Sequence, residues 1–259
     1  MKRIYNLKSA VRTGHEKKFS TEHHTIETSK LPASYDLRLM SKCMPPVLDQ
    51  KDLGSCAANE MSNALRFCIA KEVGPQNAWS PSRLFIYYFG RLFEGDDTTQ
   101  DTGMSISGVC GAISKYGAPD EIMWPYDIAR YTVHPSQTAT LNALTHAPGY
   151  SFLQVPQDLI HIKQVLYSGF PIIAGVQLYS NFESNIVATY GVVQLPTKDE
   201  ILLGGHCVNI YAYDDLSQRF TCSNSWGTGW GYKGYFTIPY AYLLDTNLAG
   251  DFNTVKYFK

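Results

Sequence analysis

Cys56 stands where the loop Asp49-Gln50-Lys51-Asp52-Leu53-Gly54 runs through Ser55 into a helical pattern. Beyond it Met61, Ala64, Leu65 and Cys68 recur at spacings of three and four, which predicts a helix with one buried face and Ser55 as its cap. A thiol in the first turn of a helix feels unpaired backbone N–H groups and the positive end of the helix dipole, and both favour thiolate over thiol. An ordinary cysteine has a pKa of about 8.5, so only a small fraction is nucleophilic at neutral pH. A general base, a group that orients the base and a donor for a developing oxyanion must come from elsewhere in the chain.

The second half of the sequence contains such groups. Gly204-Gly205-His206-Cys207-Val208-Asn209-Ile210 places a histidine at the entry to a strand, behind two glycines that let another backbone approach closely. Asn224-Ser225-Trp226-Gly227-Thr228-Gly229-Trp230-Gly231 then combines an amide side chain, two indoles and three glycines. Each feature alone has a bland reading. A cysteine on an apolar helix face is usually a small core residue, and that reading is kept for Cys43, Cys68 and Cys110. A lone histidine at a strand start is more often structural, and Trp226 and Trp230 alone would be core.

Gln50, Gly54-Ser55-Cys56, Gly205-His206 and Asn224-Ser225-Trp226-Gly227 resemble, in that order, the motifs of the papain-like cysteine peptidases. Pro32 with Asp36-Leu37-Arg38, Tyr116-Gly117, and Gly231 with Gly234-Tyr235 extend the resemblance from about Leu31 to the C-terminus. His206 and Asn224 follow Cys56 by 150 and 168 residues, at and beyond the upper end of the family's spacing, so insertions are expected. The resemblance implies a thiol endopeptidase. Cys56 would be the nucleophile in a thiolate–imidazolium pair with His206, and Asn224 would orient the imidazole through its side-chain carbonyl. Trp226 would shield that bond from water, and Gln50 with the Cys56 backbone N–H would receive the oxyanion. The implied partner is a protein or peptide in extended conformation, hydrogen-bonded by the backbone of Gly103 and Met104. Ser105, Ile106, Gly175 and Gly205 would border an open, mostly apolar pocket for the second residue before the scissile bond, with Asp251 near its base. No cofactor and no metal is implied. Two other readings remain open: a catalytically silent peptide-binding member, and an acyl-transfer enzyme such as a peptide ligase or deamidase. The intact Gln50, Cys56, His206 and Asn224 speak against the first; the same residues would serve the second.

Two departures lie inside the first motif. Leu53 replaces a cysteine that many members bridge to a downstream partner, and Ala57 replaces a common tryptophan. The family's main secretory disulfide is therefore not expected. Ser80-Pro81-Ser82-Arg83 and Trp124-Pro125-Tyr126 resemble compact bacterial-type or viral members rather than lysosomal cathepsins.

Positioning these residues takes a helical part and a β part. After the Cys56 helix, Ser80-Pro81 predicts a second helix through Leu92, with Ser80 as cap and Pro81 in its first turn. Residues 95–103 read as a surface loop. A third helix is expected from Ser105 to Tyr116, stopped by Gly117, and another over Pro156–Ser168, stopped by Gly169. Apolar, β-leaning runs then occupy Pro171–Leu178, Gly191–Leu195, His206–Tyr213, Arg219–Ser223 and Gly234–Ile238. Asp214-Asp215 with Ser217 predicts a turn that makes Cys207–Tyr213 and Arg219–Ser225 a hairpin. Strand alternation on it separates Cys207 from Cys222, so no bridge joins them. The expected class is α+β: a papain-like two-lobed fold with a helical left lobe (about 45–135) and an antiparallel β right lobe (about 136–259). The active site would lie in the cleft between them.

Composition sets the outer limits. A chain of 259 residues that is 44% hydrophobic and 17% charged can bury a large core in one domain or two modest ones. A formal net charge of −1 argues against nucleic-acid binding, and no apolar run is long enough to span a bilayer. The six cysteines are scattered without a CxxC pair, against an ordinary zinc site and against a disulfide framework, so reduced thiols are expected. The basic N-terminus is not followed by an apolar segment. A cytoplasmic or otherwise not conventionally secreted monomer is expected, with a virion or non-classical export as alternatives. Residues 1–31 carry seven Lys/Arg against three Glu and include His23-His24, read as an exposed pair. They read either as a solvated basic arm or as a short regulatory or pro-segment lying over the cleft, ahead of a peptidase domain over 32–259. They are too few for the family's long helical prodomain.

Overall fold

The computed structural model describes residues 3–10, 17–19, 30–40 and 42–259. In chain order, β1 (Ser34–Asp36) precedes α1 (Cys56–Val73), α2 (Arg83–Phe93) and α3 (Ile106–Tyr116). Next come α4 (Gln137–His146), β2 (Tyr150–Gln154), α5 (Leu159–Tyr167), β3 (Ile172–Tyr179) and α6 (Asn185–Tyr190). The chain ends with β4 (Leu202–Asp214), β5 (Arg219–Ser223), β6 (Tyr235–Pro239), α7 (Tyr240–Leu244) and β7 (Ala249–Tyr257). The strands form one sheet in the order β2-β7-β3-β4-β5-β6, with β1 added against β4. Every pairing is antiparallel. Helices first and an antiparallel sheet after them make the α+β architecture expected from the sequence.

Helix α1 departs from the expected single buried face. From Cys56 through Ala70 every side chain except Arg66 is buried. The cause is its place in the fold: α2 and α3 pack on one side of it, β3, β4 and β7 on the other. Asn59, Glu60, Ser62 and Asn63 are buried with the apolar residues, so their polar groups need partners inside the protein. Ser55 occupies the cap position, but its side chain makes no capping bond. Its hydroxyl is instead 2.6 Å from Tyr126 Oη and accepts from Asn59 Nδ2.

The other helix ends show which local signals were sufficient. Helix α3 starts and stops as expected: Ser105 Oγ accepts from Gly108 N–H, and Gly117 takes φ 73° to end it. Helix α2 is capped by Ser82, which accepts from Phe85 N–H, and not by Ser80. Residue 80 precedes a proline and is held extended; its carbonyl accepts from Glu121 N–H. Helix α5 begins at Leu159, capped by Asp158, rather than at Pro156. Gly191–Leu195 is not a strand, since only Val192 makes a bridge, to Thr237. Helices α4, α6 and α7 and strands β1, β2 and β7 were not anticipated, and β7 lies inside the sheet between β2 and β3.

The expected hairpin is present as β4 and β5, with Asn209 opposite Ser223 and Ile210 opposite Cys222. Asp214 Oδ1 accepts from Leu216 and Ser217 N–H and closes its turn. All six cysteines are free. No described helix is long and apolar enough to cross a membrane.

Candidate active site

The loop before α1 is fixed from three directions. Its backbone pairs with the segment after β5: Gln50 N–H donates to Ser225 O, and Gly227 N–H to Leu48 O. Tyr126 Oη donates to Gln50 O at 2.9 Å. From the other side Asp101 accepts from Gly54 N–H with both carboxylate oxygens, at 3.1 and 3.0 Å, and receives the Tyr87 hydroxyl. Arg91, fully buried, holds the loop that carries Asp101 by donating to the carbonyls of Thr98 and Gln100.

Gln50 is buried and oriented. Its Oε1 accepts from Ser225 Oγ at 2.6 Å, and its Nε2 donates to Leu53 O at 2.9 Å. An amide nitrogen carries two protons, so one N–H remains for another acceptor.

His206 enters from β4 and Asn224 from the end of β5. His206 Nε2 is 2.8 Å from Asn224 Oδ1, and the same oxygen accepts from Ser225 N–H. A backbone N–H can only donate, so that atom of Asn224 is the oxygen and the imidazole proton sits on Nε2. His206 Nδ1 has no hydrogen-bond partner and is left with a lone pair. Trp226 lies 5.1 Å from the imidazole, centroid to centroid, and is packed by Trp230 and Phe182. His206, Asn224 and Trp226 thus come together on the β4–β5 side, Gln50 in the loop before α1 is tied to Ser225 beside them, and Cys56 at the head of α1 lies against the backbone N–H of Cys207, the residue after His206.

Residues 3–10 of the N-terminal arm occupy the cleft, which excludes the reading of a wholly solvated arm. Arg3 lies over Trp226, with the guanidinium carbon 4.2 Å from the ring centroid. Tyr5 packs edge-on against both His206 and Trp226 and donates its hydroxyl to Glu183. Asn6 bridges to Gly205 in parallel register, and its side chain donates to Asp101 O. A methyl group on either Gly54 or Gly103 would collide with Asn6. Leu7 N–H donates to Gly205 O and Lys8 N–H to Met104 O, both at 3.2 Å. The Leu7 side chain meets Gly175, with Ile106 nearby. Lys8 then pairs with Glu94 and Asp96. Further along, Lys17 and Phe19 hydrogen-bond to Gln154 at the end of β2, and Phe19 is buried. The His23-His24 pair lies outside the described residues.

The substrate-side residues expected from the resemblance thus surround the arm. Gly103 and Met104 meet Asn6 and Lys8; Ile106, Gly175 and Gly205 meet Leu7. Ser105 is also a helix cap and donates to Glu94. Beyond Lys8 the cleft continues into a cavity of about 600 Å³ lined by Ser105, Phe93, Cys110, Phe152 and Asp251 among others. Cys110 borders this cavity, while Cys68 is core and contacts Val255 O.

Burial sets the electrostatics of the covered site. It pushes the Cys56 thiol up to about 12, although backbone N–H groups of Cys207, Ala57 and Cys56 itself pull the other way. It pushes His206 down to about 4; the Asn224 bond opposes this and Arg3 adds to it. With the arm in place burial therefore works against both charged forms, and so against the ion pair expected from the sequence. Among the described residues no cluster of His, Cys, Asp or Glu could hold a metal ion.

Asp101, Tyr126, Arg91 and Glu60 were missed by sequence reasoning. Their partners lie up to 163 residues away, which no local pattern reveals. The one available signal was a charged residue, Glu60, four positions after Cys56 in an otherwise uncharged run.

A family model described as papain family cysteine protease matches residues 31–243. An uncharacterised peptidase C1-like protein of Acanthamoeba polyphaga mimivirus is 37% identical over 247 residues, covering 88% of this chain and 78% of that protein. Cathepsin B-like CP3 of Giardia intestinalis is 29% identical over 229 residues, 83% of this chain and 71% of that one. Among solved structures, xylellain, a cysteine protease from Xylella fastidiosa, superposes with a TM-score of 0.87 at 31% identity, covering 98% of this chain and 96% of its own.

Proposed function

Since the chain belongs to the papain family of cysteine proteases and is a cysteine peptidase, we propose that Cys56 is its nucleophile and that His206, Asn224 and Gln50 complete the catalytic set. The observation that carries this assignment is the tautomer of His206. Asn224 holds the proton on Nε2 and leaves Nδ1 as the free base on the ring. In the uncovered site Nδ1 takes the Cys56 proton, and the thiolate attacks the scissile carbonyl. The tetrahedral oxyanion is received by the free N–H of Gln50 and by backbone N–H at the head of α1. His206 then gives its proton to the leaving amine, and a water activated by the neutral imidazole hydrolyses the thioester. Trp226 covers the His206–Asn224 bond and keeps water from competing for it.

The substrate is a peptide in extended conformation, bound in the track that the arm follows. Main-chain bonding to Gly205 O and Met104 O supports this, because those carbonyls serve any sequence, as strand addition does. Covering this track makes the arm a self-inhibitory segment.

Two measurements test the assignment. In the first, active protein is titrated with an epoxysuccinyl thiol-protease inhibitor and digested for mass spectrometry. One equivalent of label is expected on Cys56, and inactivation with the label elsewhere would overturn the assignment. In the second, Gln50→Ala removes one oxyanion donor. A loss of about 10²–10³ in kcat is expected, with KM nearly unchanged. An unaltered kcat would remove Gln50 from the catalytic set.

A further inference from the structure

Helix α1 carries a carboxyl group that the proposed mechanism leaves unused. Glu60 lies one turn beyond Cys56 and is wholly buried. Its Oε2 accepts from Asn209 Nδ2 at 2.7 Å and from Ser223 Oγ at 2.9 Å, while its backbone carbonyl accepts from the same Asn209 Nδ2. Oε1 has no partner. The two donors are not arbitrary. Asn209 and Ser223 are opposite each other across the β4–β5 hairpin. Asn209 is three residues after His206 on one strand, and Ser223 immediately precedes Asn224 on the other. One side chain on the Cys56 helix therefore grips the cross-strand pair that flanks His206 and Asn224.

A buried carboxyl is a costly way to fill space, and an apolar residue of similar size is often as stable or more so. What the carboxyl adds is direction, because two hydrogen bonds fix the helix along and across the hairpin. The requirement is strict, since an error of about 1 Å in the placement of reacting groups can cost about 10²-fold in rate. We propose that Glu60 is a positioning residue, holding the helix of Cys56 in register with the hairpin of His206 and Asn224. This rests on the catalytic assignment above.

The site is also sensitive to proton uptake. Burial pushes Glu60 up to about 8, with the Ser223 and Asn209 bonds opposing it. The titratable groups around it are Cys56 on α1, Cys207 and Tyr211 on β4, Cys222 on β5 and Tyr235 next to it on β6. Burial raises the last four, so they stay neutral while Glu60 titrates. A charge forming on Glu60 opposes the Cys56 thiolate one turn away, so kcat should fall as pH rises through the ionisation of Glu60.

The test uses the full-length chain with Lys8→Glu, which sets a carboxylate against Glu94 and Asp96 and loosens the arm. In that parent, Glu60→Leu is expected to lower kcat about 100-fold with KM within about twofold. Glu60→Gln, which can still accept both bonds, should restore kcat at pH 7 and move the alkaline limb of kcat upward by about half a pH unit or more. Should Glu60→Leu fail to fold, Ser223→Ala removes one bond and is expected to cost about tenfold in kcat. A kcat equal to the parent's in Glu60→Leu, or in Ser223→Ala where that variant stands in for it, would overturn the proposal. So would an unmoved alkaline limb in Glu60→Gln. Reaction of Cys56 with iodoacetamide in the parent separates the two claims. A parent that hydrolyses peptides with Cys56 unmodifiable overturns the catalytic assignment, whereas a modifiable parent with indifferent Glu60 variants overturns only this inference.

Discussion

Cys56→Ala is expected to abolish peptide hydrolysis, lowering kcat by about 10⁴–10⁶-fold, while leaving the fold intact. The magnitude follows from covalent catalysis: without the thiol no acyl-enzyme forms, and loss of a nucleophile from a coupled nucleophile–base set costs about as much as removing the whole set. Six orders of magnitude correspond to about 8 kcal/mol of barrier. The fold should tolerate the change, because Cys56 forms no disulfide and alanine loses only one sulfur atom in volume. Progress curves with a fluorogenic peptide, alongside a melting curve, check both halves of the expectation. Activity within tenfold of wild type would mean another residue attacks the carbonyl. Cys110, which borders the cleft cavity, would be examined next.

Breaking the contacts of the arm is expected to raise activity about tenfold or more. On the proposed function the arm competes with substrate from within the same chain, at an effective concentration on the order of 1 mM for a short tether. A segment with an intrinsic Kd of about 0.1 mM would then cover about nine-tenths of the sites at that concentration. Lys8→Glu converts an ion pair with Glu94 and Asp96 into repulsion, and Tyr5→Ala removes the ring packed on His206 and Trp226. Each should shorten the lag or raise the initial rate, and unchanged kinetics in the double variant would remove the arm from control. The sign with pH follows from His206. The covered site holds its imidazole near 4 by desolvation, aided by Arg3, whereas an unburied histidine titrates near 6.5. The covered state thus binds fewer protons between these values. Its stability is complete above about pH 6.5 and is lost as pH falls through about 4. The groups facing this imidazole are Arg3, Tyr5, Asn224 and Trp226. Hydrogen-exchange protection of the Leu7 and Lys8 amides, corrected for intrinsic rates, should be lower at pH 5 than at pH 7. Greater protection at pH 5 would reverse the assigned sign.

The residues to which we assign the chemistry were legible because each sits in a stretch whose backbone already has to be special. Gly54-Ser55-Cys56 marks a loop entering a helix, and Gly205-His206 a strand at which another chain can lie. Asn224-Ser225-Trp226-Gly227 marks a turn after a strand. The ends of α3 and the turn after Asp214 were legible for the same reason, since their hydrogen bonds close within a few residues. Long-range decisions were not. Strand β7 has polar residues at Asp251, Asn253 and Thr254, and becomes central only because β2 and β3 pair on either side of it. Gly191–Leu195 has the composition of a strand but is joined to the sheet only by a bridge at Val192, and the Arg219 side chain takes the Val193 carbonyl. The arm has few large apolar residues, which argued for solvation. It docks through main-chain bonds, charge and the rings of Tyr5 and Phe19 instead.

Helix α1 has almost no face of its own toward solvent, and this bears on how the molecule comes apart. Neither the helices packed on one side nor the sheet on the other can separate without stripping the cover from the same buried residues, including Glu60 and Asn59. A partly unfolded form that kept one lobe would strand a carboxyl and an amide without their partners. The helix that bears Cys56 is thereby also the cooperative link of the fold. Its amides are expected to open to exchange only when the whole domain unfolds, so proteolytic resistance and the reactivity of Cys56 should be lost in one step rather than two.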